Sequence, residues 1–409
     1  MSQIIKQLPD QPQLELLRTE AKQLVQDQQI SSLSEAEQLI SESYGFPNWI
    51  TLVEYVEVVN SGEIDRLEQS FIFDDQNTLR QLLKQDPQLV HRCAHWVKRQ
   101  RHNKYQPLAY AAYLGRIEIM EMLITAGADI NCDNGQAMMA ATYSPEAKAG
   151  IELLIKYGAD PNSRKVKGNG ISYSAVDFAC MVLNPDALQC LLDNGAAITR
   201  DGLARVVASN ERKPRHKSQC LKLIADAGLF LPDTPPMALH RRDIIRLRQF
   251  LNEDTSLLSR VFSETDIFPP ELGIEAPSPC AYVTPLIGGV SLLHMAVEFC
   301  DLELSAWLLQ QGANVNQPAA VNTEGYGGWT PIFHSLATLH VPRNFSEIAA
   351  LLMSHGADPY IRASISKPTI EDEGRVNFDH VTAIEYAHNF IYPDLVNRNA
   401  LHLVEDWLF

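Results

Sequence analysis

The sequence predicts an all-α repeat solenoid: a stack of helix-turn-helix units with short β-hairpin loops, closed at its N-terminal end by a small helical cap. Three observations predict it. A glycine-centred segment recurs behind apolar helical runs, as ITAGADINCDN at 124–134, IKYGADPNSRK at 155–165, LQQGANVNQPA at 309–319 and MSHGADPYIRA at 353–363. Weaker copies are LDNGAAITRDG at 192–202 and ADAGLFLPDTP at 225–235. The glycines at 127, 158, 195 and 228 are separated by 31, 37 and 33 residues, a spacing that marks repeat architectures. Finally, 45% of the 409 residues are apolar and 21% charged, which suffices for a core along the whole length.

The elements follow in chain order. Residues 1–62 read as the cap. Leu14, Leu17, Ala21 and Leu24 give a first helix its apolar face. Ser34 with Glu37 forms a capping-box pattern for a second helix that Gly45 ends. Pro47 opens a third, with Trp49, Leu52, Val53 and Val56 as its stripe. Behind it come nine units, near 63–105, 106–135, 136–168, 169–201, 202–234, 235–289, 290–328, 329–380 and 381–409. In each well-formed unit a first helix is rich in small residues, as in QPLAYAAYLG (106–115), SLLHMAVE (291–298) and TPIFHSLA (330–337). Thr or Ser at such a helix start caps orphan N–H groups, and Pro at the next position fits the first turn. The second helix carries a buried stripe, such as Ile117, Met120 and Leu123. Gly127, Gly158, Gly312 and Gly356 then supply left-handed helix ends ahead of the hairpins. The first and sixth units are degenerate. The chain accordingly divides into a first sub-array (63–234), a degenerate unit with a long insertion (235–289), and a second sub-array with its C-terminal cap (290–409).

This pairing of a TPLHxAA-like helix with a GADxN-like hairpin resembles the ankyrin repeat, over residues 63–409. The stretch SLSEAEQLISESYGFPNW is similar to a segment that precedes ankyrin repeats in a bacterial subgroup. The resemblance implies a protein-binding scaffold that works through its concave face and hairpin edge, with no catalysis of its own. In such repeats the histidine at the position of His294 serves the framework of its own loop.

Surplus residues gather between one unit's second helix and the next unit's first, at 88–105, 163–173, 259–289, 317–329 and 363–381. Insertions gathered on one edge point to that edge as functional. The segment HRCAHWVKRQRHNKY (91–105) holds Arg92, Lys98, Arg99, Arg101 and Lys104 around Trp96. Such a cluster in an acidic chain suits an anion or an acidic partner segment. A second cluster, ERKPRHK (211–217), falls between the two helices of its unit, on the opposite edge. The glycines at 325, 327 and 328 predict a tight turn that presents Tyr326 or Trp329.

Several classes are excluded or disfavoured. The net charge of −16 opposes general nucleic-acid binding. No phosphate loop, dinucleotide fingerprint, nucleophile elbow or metal-ligand spacing is present, so neither cofactor nor metal is expected. Seven scattered cysteines without a CxxC pair read as reduced thiols. With no apolar run of membrane length and no leader-like start, a cytoplasmic monomer is expected. Two functions remain open. One is the scaffold for an unknown protein partner; the other is an enzyme or a binder of small molecules or anions, with a site built from the inserted loops.

Overall fold

A computed structural model describes residues 6, 8–9, 12–26, 33–44, 46, 49, 52–53, 55–56, 66–92, 105–166, 172–209, 211–267, 289–337, 346–368, 375–390 and 395–407. The chain divides into two compact units, Met1–Ala179 with Asp186–Ala197 and Cys180–Pro185 with Ile198–Phe409. The division falls at 179–198, ahead of the 234–235 boundary read from the sequence.

In the first unit, helices α1 (Leu14–Gln26) and α2 (Leu33–Ser43) pack together through Leu17 and Ala21 on one and Ala36 and Ile40 on the other. Helix pairs follow: α3 (Arg66–Ile72) with α4 (Gln76–Gln85), α5 (Pro107–Leu114) with α6 (Ile117–Thr125), and α7 (Cys132–Ala141) with α8 (Ala147–Lys156). The antiparallel hairpin β1 (Arg164–Val166) and β2 (Ser172–Ser174) leads into α9 (Ala175–Met181) and α10 (Pro185–Asp193). The rings of Phe46, Tyr55 and Phe73 lie 5.1–6.5 Å apart and join the cap to the turn after α3. Within α6, Met120 and Leu123 are fully buried together with Ile119, whereas Ile117 is only half-buried.

The second unit continues with α11 (Arg200–Val207), α12 (Pro214–Asp226), α13 (Pro235–His240) and α14 (Ile244–Glu253). Beyond them come α15 (Leu292–Glu298), α16 (Leu302–Gln310), α17 (Pro331–Leu336) and α18 (Glu347–Ser354). The hairpin β3 (Ala363–Pro368) and β4 (Arg375–Val381) precedes α19 (Ala383–His388) and α20 (Arg398–Asp406). Thr234, Ser291 and Thr382 cap their helices through their side chains, but Thr330 makes no such bond.

Two local devices repeat through both units. At the end of α6 the Gly127 N–H donates to the Ile124 carbonyl (3.0 Å) and the Ala128 N–H to Leu123 (2.9 Å), with Gly127 left-handed at φ 98°. The same pair of bonds closes the helices that end at Gly158, Gly195, Gly228, Gly312 and Gly356. In the hairpins, the Asn162 side chain donates to the Gly195 carbonyl (3.0 Å) and accepts from the Ala197 N–H (2.8 Å). Asn316 does the same with Gly356 (2.9 Å) and Asp358 (2.8 Å). One side-chain amide therefore satisfies a donor and an acceptor of the next repeat, which sets the stacking distance.

Candidate functional site

In the first unit the small first helices bury nearly everything they carry. Seven of the eight residues of α5 are buried, and α7 is buried from Gly135 to Ala141. Beside them runs a series of part-exposed aromatic rings. Tyr113, in the last turn of α5, lies 6.1 Å from Tyr143, which follows α7. Tyr143 lies 5.8 Å from Phe178 of α9, and Phe178 lies 5.8 Å from Tyr173 of strand β2. The rings meet at 39–55°, so this is a tilted ladder rather than a flat stack. Tyr143 is 40% exposed and the other three are half-buried. Ion pairs flank the ladder: Arg164 lies 3.4 Å from Asp177, and Lys165 is bonded to Asp133. Four part-exposed rings across three repeats, rimmed by charge, have the anatomy of an interaction hot spot. A groove of about 660 Å³ elsewhere in this unit, between α4 and α6, is less apt. Its Glu121 is already engaged by Lys156 (3.2 Å) and Tyr157 (2.9 Å).

Sequence analysis missed the ladder, although a signal existed. Tyr113, Tyr143 and Phe178 stand 14, 15 and 17 residues ahead of Gly127, Gly158 and Gly195. The residues it proposed instead have varied fates. Arg92 is exposed, whereas Trp96, Lys98, Arg99, Arg101 and Lys104 lie outside the described residues. Tyr326 is half-buried. Trp329 is not presented to solvent: it is 6% exposed, and its backbone pairs with Ala319 and His294. Of the two residues, Trp329 is thus the one the turn withdraws from solvent. Their turn is nonetheless tight, since a Cβ on Gly327 would overlap the Ala320 carbonyl oxygen.

The 211–217 cluster is split: Lys213, Arg215 and His216 are exposed, whereas Arg212 and Lys217 are interior. Arg212 and Lys217 are 7% and 2% exposed; Arg212 pairs with Glu298, and Lys217 donates to the Val207 carbonyl (2.9 Å). These residues tie α11 and α12 to α15, across the repeat that follows them.

His294 has the framework role expected of it. Its Nδ1 accepts from the Ser291 N–H (3.3 Å), so in the neutral ring Nε2 donates to the Trp329 carbonyl (3.1 Å). One imidazole thus caps its own helix and grips the next repeat. Burial holds its pKa down to about 3, with the nearby His334 adding to the effect. Burial also pushes the Cys300 thiol up to about 12, which removes it as a nucleophile. No group of three or more His, Cys, Asp or Glu side chains among the described residues could hold a metal ion.

Residues 71–165 match a model of ankyrin repeats in three copies, and residues 288–320 match the single ankyrin repeat. The chain carries ankyrin repeats. Helix pairs closed by a left-handed glycine and joined through hairpins are the ankyrin fold in both compact units. Among solved structures, the ankyrin repeat domain of human ASB11 covers 73% of this chain and 97% of its own, at 18% identity and a TM-score of 0.29. No curated protein matches the chain.

Proposed function

We propose that this ankyrin-repeat chain is a protein-binding scaffold, and that the ladder Tyr113, Tyr143, Phe178 and Tyr173 is the centre of its contact surface. The ladder carries the proposal. Aromatic side chains bury large areas at small entropic cost, and they dominate the energetics of protein interfaces. The first helices supply a rigid base for it, because almost all their other residues are buried. The partner belongs to the same compartment as the chain. Cys190 and Cys300 are free thiols, which supports the reducing cytoplasm, and no described helix is long and apolar enough to cross a membrane. The basic segment with Arg92, Lys98, Arg99, Arg101 and Lys104 is a second candidate contact in this reading.

The test is affinity purification from the native host with quantitative mass spectrometry, using the wild type beside a Tyr143→Ala/Phe178→Ala double variant. The expected result is a partner depleted on the double variant, with a loss of about 2 kcal/mol, or roughly thirtyfold in Kd. Both proteins should show the same helical circular dichroism. Equal recovery of every captured protein on the two baits overturns the proposal. A Lys98→Ala/Arg99→Ala/Arg101→Ala variant tests the basic segment: its binding deficit should shrink as salt is raised.

A further inference from the structure

Among the described residues of the second unit, buried basic side chains outnumber the buried carboxylates that face them. Asp301 is committed to Arg242, which grips it through two nitrogens at 2.6 and 3.1 Å. Glu298, 1% exposed, then faces three buried cations: Arg212, Lys217 and Lys367, which are 7%, 2% and 6% exposed. Arg212 bonds one Glu298 oxygen, and the other lies 2.6 Å from His334 Nδ1. Lys367, from strand β3, lies close enough to both Glu298 and Arg212 to feel their charge. Its Nζ sits 4.5 Å from the centre of the Phe390 ring. Lys217 lies 3.7 Å over the Phe299 ring, which Arg212 approaches to 5.5 Å and His240 to 5.0 Å. Aromatic faces soften this excess without cancelling it.

The polar atoms around this charge are also unfinished. Among the described residues, His334 Nε2, the Tyr386 hydroxyl and both ring nitrogens of His240 are buried without a hydrogen-bond partner. Buried polar groups are nearly always satisfied, so a cluster of orphans beside surplus cations marks an incomplete site. In the neutral ring, with Nδ1–H given to Glu298, His334 Nε2 is an acceptor. The site thus offers cationic donors, a phenolic O–H and one neutral acceptor.

We propose that the buried cluster of Arg212, Lys217, Lys367, His334 and Tyr386 around Glu298 binds a small oxyanion that carries its own hydroxyl, of the hydrogen-phosphate class. The anionic oxygens neutralise Lys217 and Lys367 and accept from Tyr386. The ligand hydroxyl donates to His334 Nε2. Glu298 keeps its place by holding Arg212 and the imidazole. Burial, with the Arg212 charge adding to it, pulls Lys367 down to about 8 and Lys217 well below its usual range.

The experiment uses the full chain, dialysed against chloride, with inorganic phosphate as the probe. Thermal unfolding is followed at pH 7.5 in phosphate, in sulfate and in chloride, all at equal ionic strength. Phosphate is expected to raise the Tm by several degrees over chloride, and titration calorimetry of the wild type should give a saturable isotherm. Lys367→Met removes a buried cation without adding a polar group, and should abolish the phosphate shift; His334→Gln should reduce it. No shift and no isotherm for the wild type overturns the proposal. So does a shift undiminished in Lys367→Met, which means an adventitious ion only. Sulfate, which lacks the hydroxyl, should stabilise less; a sulfate shift equal to that of phosphate overturns the acceptor role of His334.

Discussion

His294 shows how one side chain can join two repeats, and its chemistry has a pH signature. In the folded state burial keeps its pKa near about 3, against ~6.5 when unfolded. The unfolded chain therefore takes up the proton first as pH falls. The stabilising contribution is complete above ~6.5 and is lost progressively between ~6.5 and ~3. By pH 5 the loss should be about 2 kcal/mol relative to neutral pH. His294→Gln preserves a capping-box residue and removes the titration. Urea unfolding at pH 7.5 and pH 5 should show the wild type losing that much more stability than the variant; parallel losses would contradict the assignment. Two glycines make a second contrast at this scale. Gly312, at φ 97°, has open space where a Cβ would go, so Gly312→Val costs only backbone strain, about 1 kcal/mol. Gly327→Ala drives a methyl into the Ala320 and Val321 backbone, and should lower the Tm further than Gly312→Val does.

Many helices were legible because they carry local punctuation. The glycine after the second helix, Thr or Ser before the first and the apolar stripe between them are local signals, and the chain repeats them in register. Even the degenerate sixth unit forms a regular pair, since Thr234 still caps α13 by accepting from the Met237 N–H. What stayed hidden depends on neighbours in space. Nothing near ERKPRHK in sequence says that Glu298, 86 residues on, will draw Arg212 inside. Thr330 sits where a cap belongs, yet its hydroxyl finds no partner. The Asn162 and Asn316 side chains are likewise readable only in pairs of repeats. Asn162→Ala and Asn316→Ala each lose two bonds to the following turn, and should each cost about 1 kcal/mol in chemical denaturation. The corresponding Asp variants keep the acceptor and lose the donor, so they should fall between Ala and wild type.

Across the whole molecule, the two compact units put their aromatic residues to different uses. In the first, Tyr143 and Phe178 meet solvent; in the second, Phe299 stands 13 residues ahead of Gly312 and lies beneath Lys217 and Arg212. The candidate surface was therefore only half legible, because periodicity locates the position but exposure depends on what the neighbouring repeats place over it. Interior charge makes the second unit the more sensitive to single changes. Glu298→Gln strands Arg212 in the core and should cost roughly 3 kcal/mol. Hydrogen exchange should register that loss in residues 198–409 and leave the protection of α5 to α8 unchanged. Trp329 adds a practical consequence. An indole at 6% exposure, beside the carbonyl that His294 holds, should emit at shorter wavelength than Trp407 at 51% exposure. A red shift of the short-wavelength component during acidification thus offers an optical readout of the opening of the core around His294, whose protonated Nδ1 can no longer accept from the Ser291 N–H.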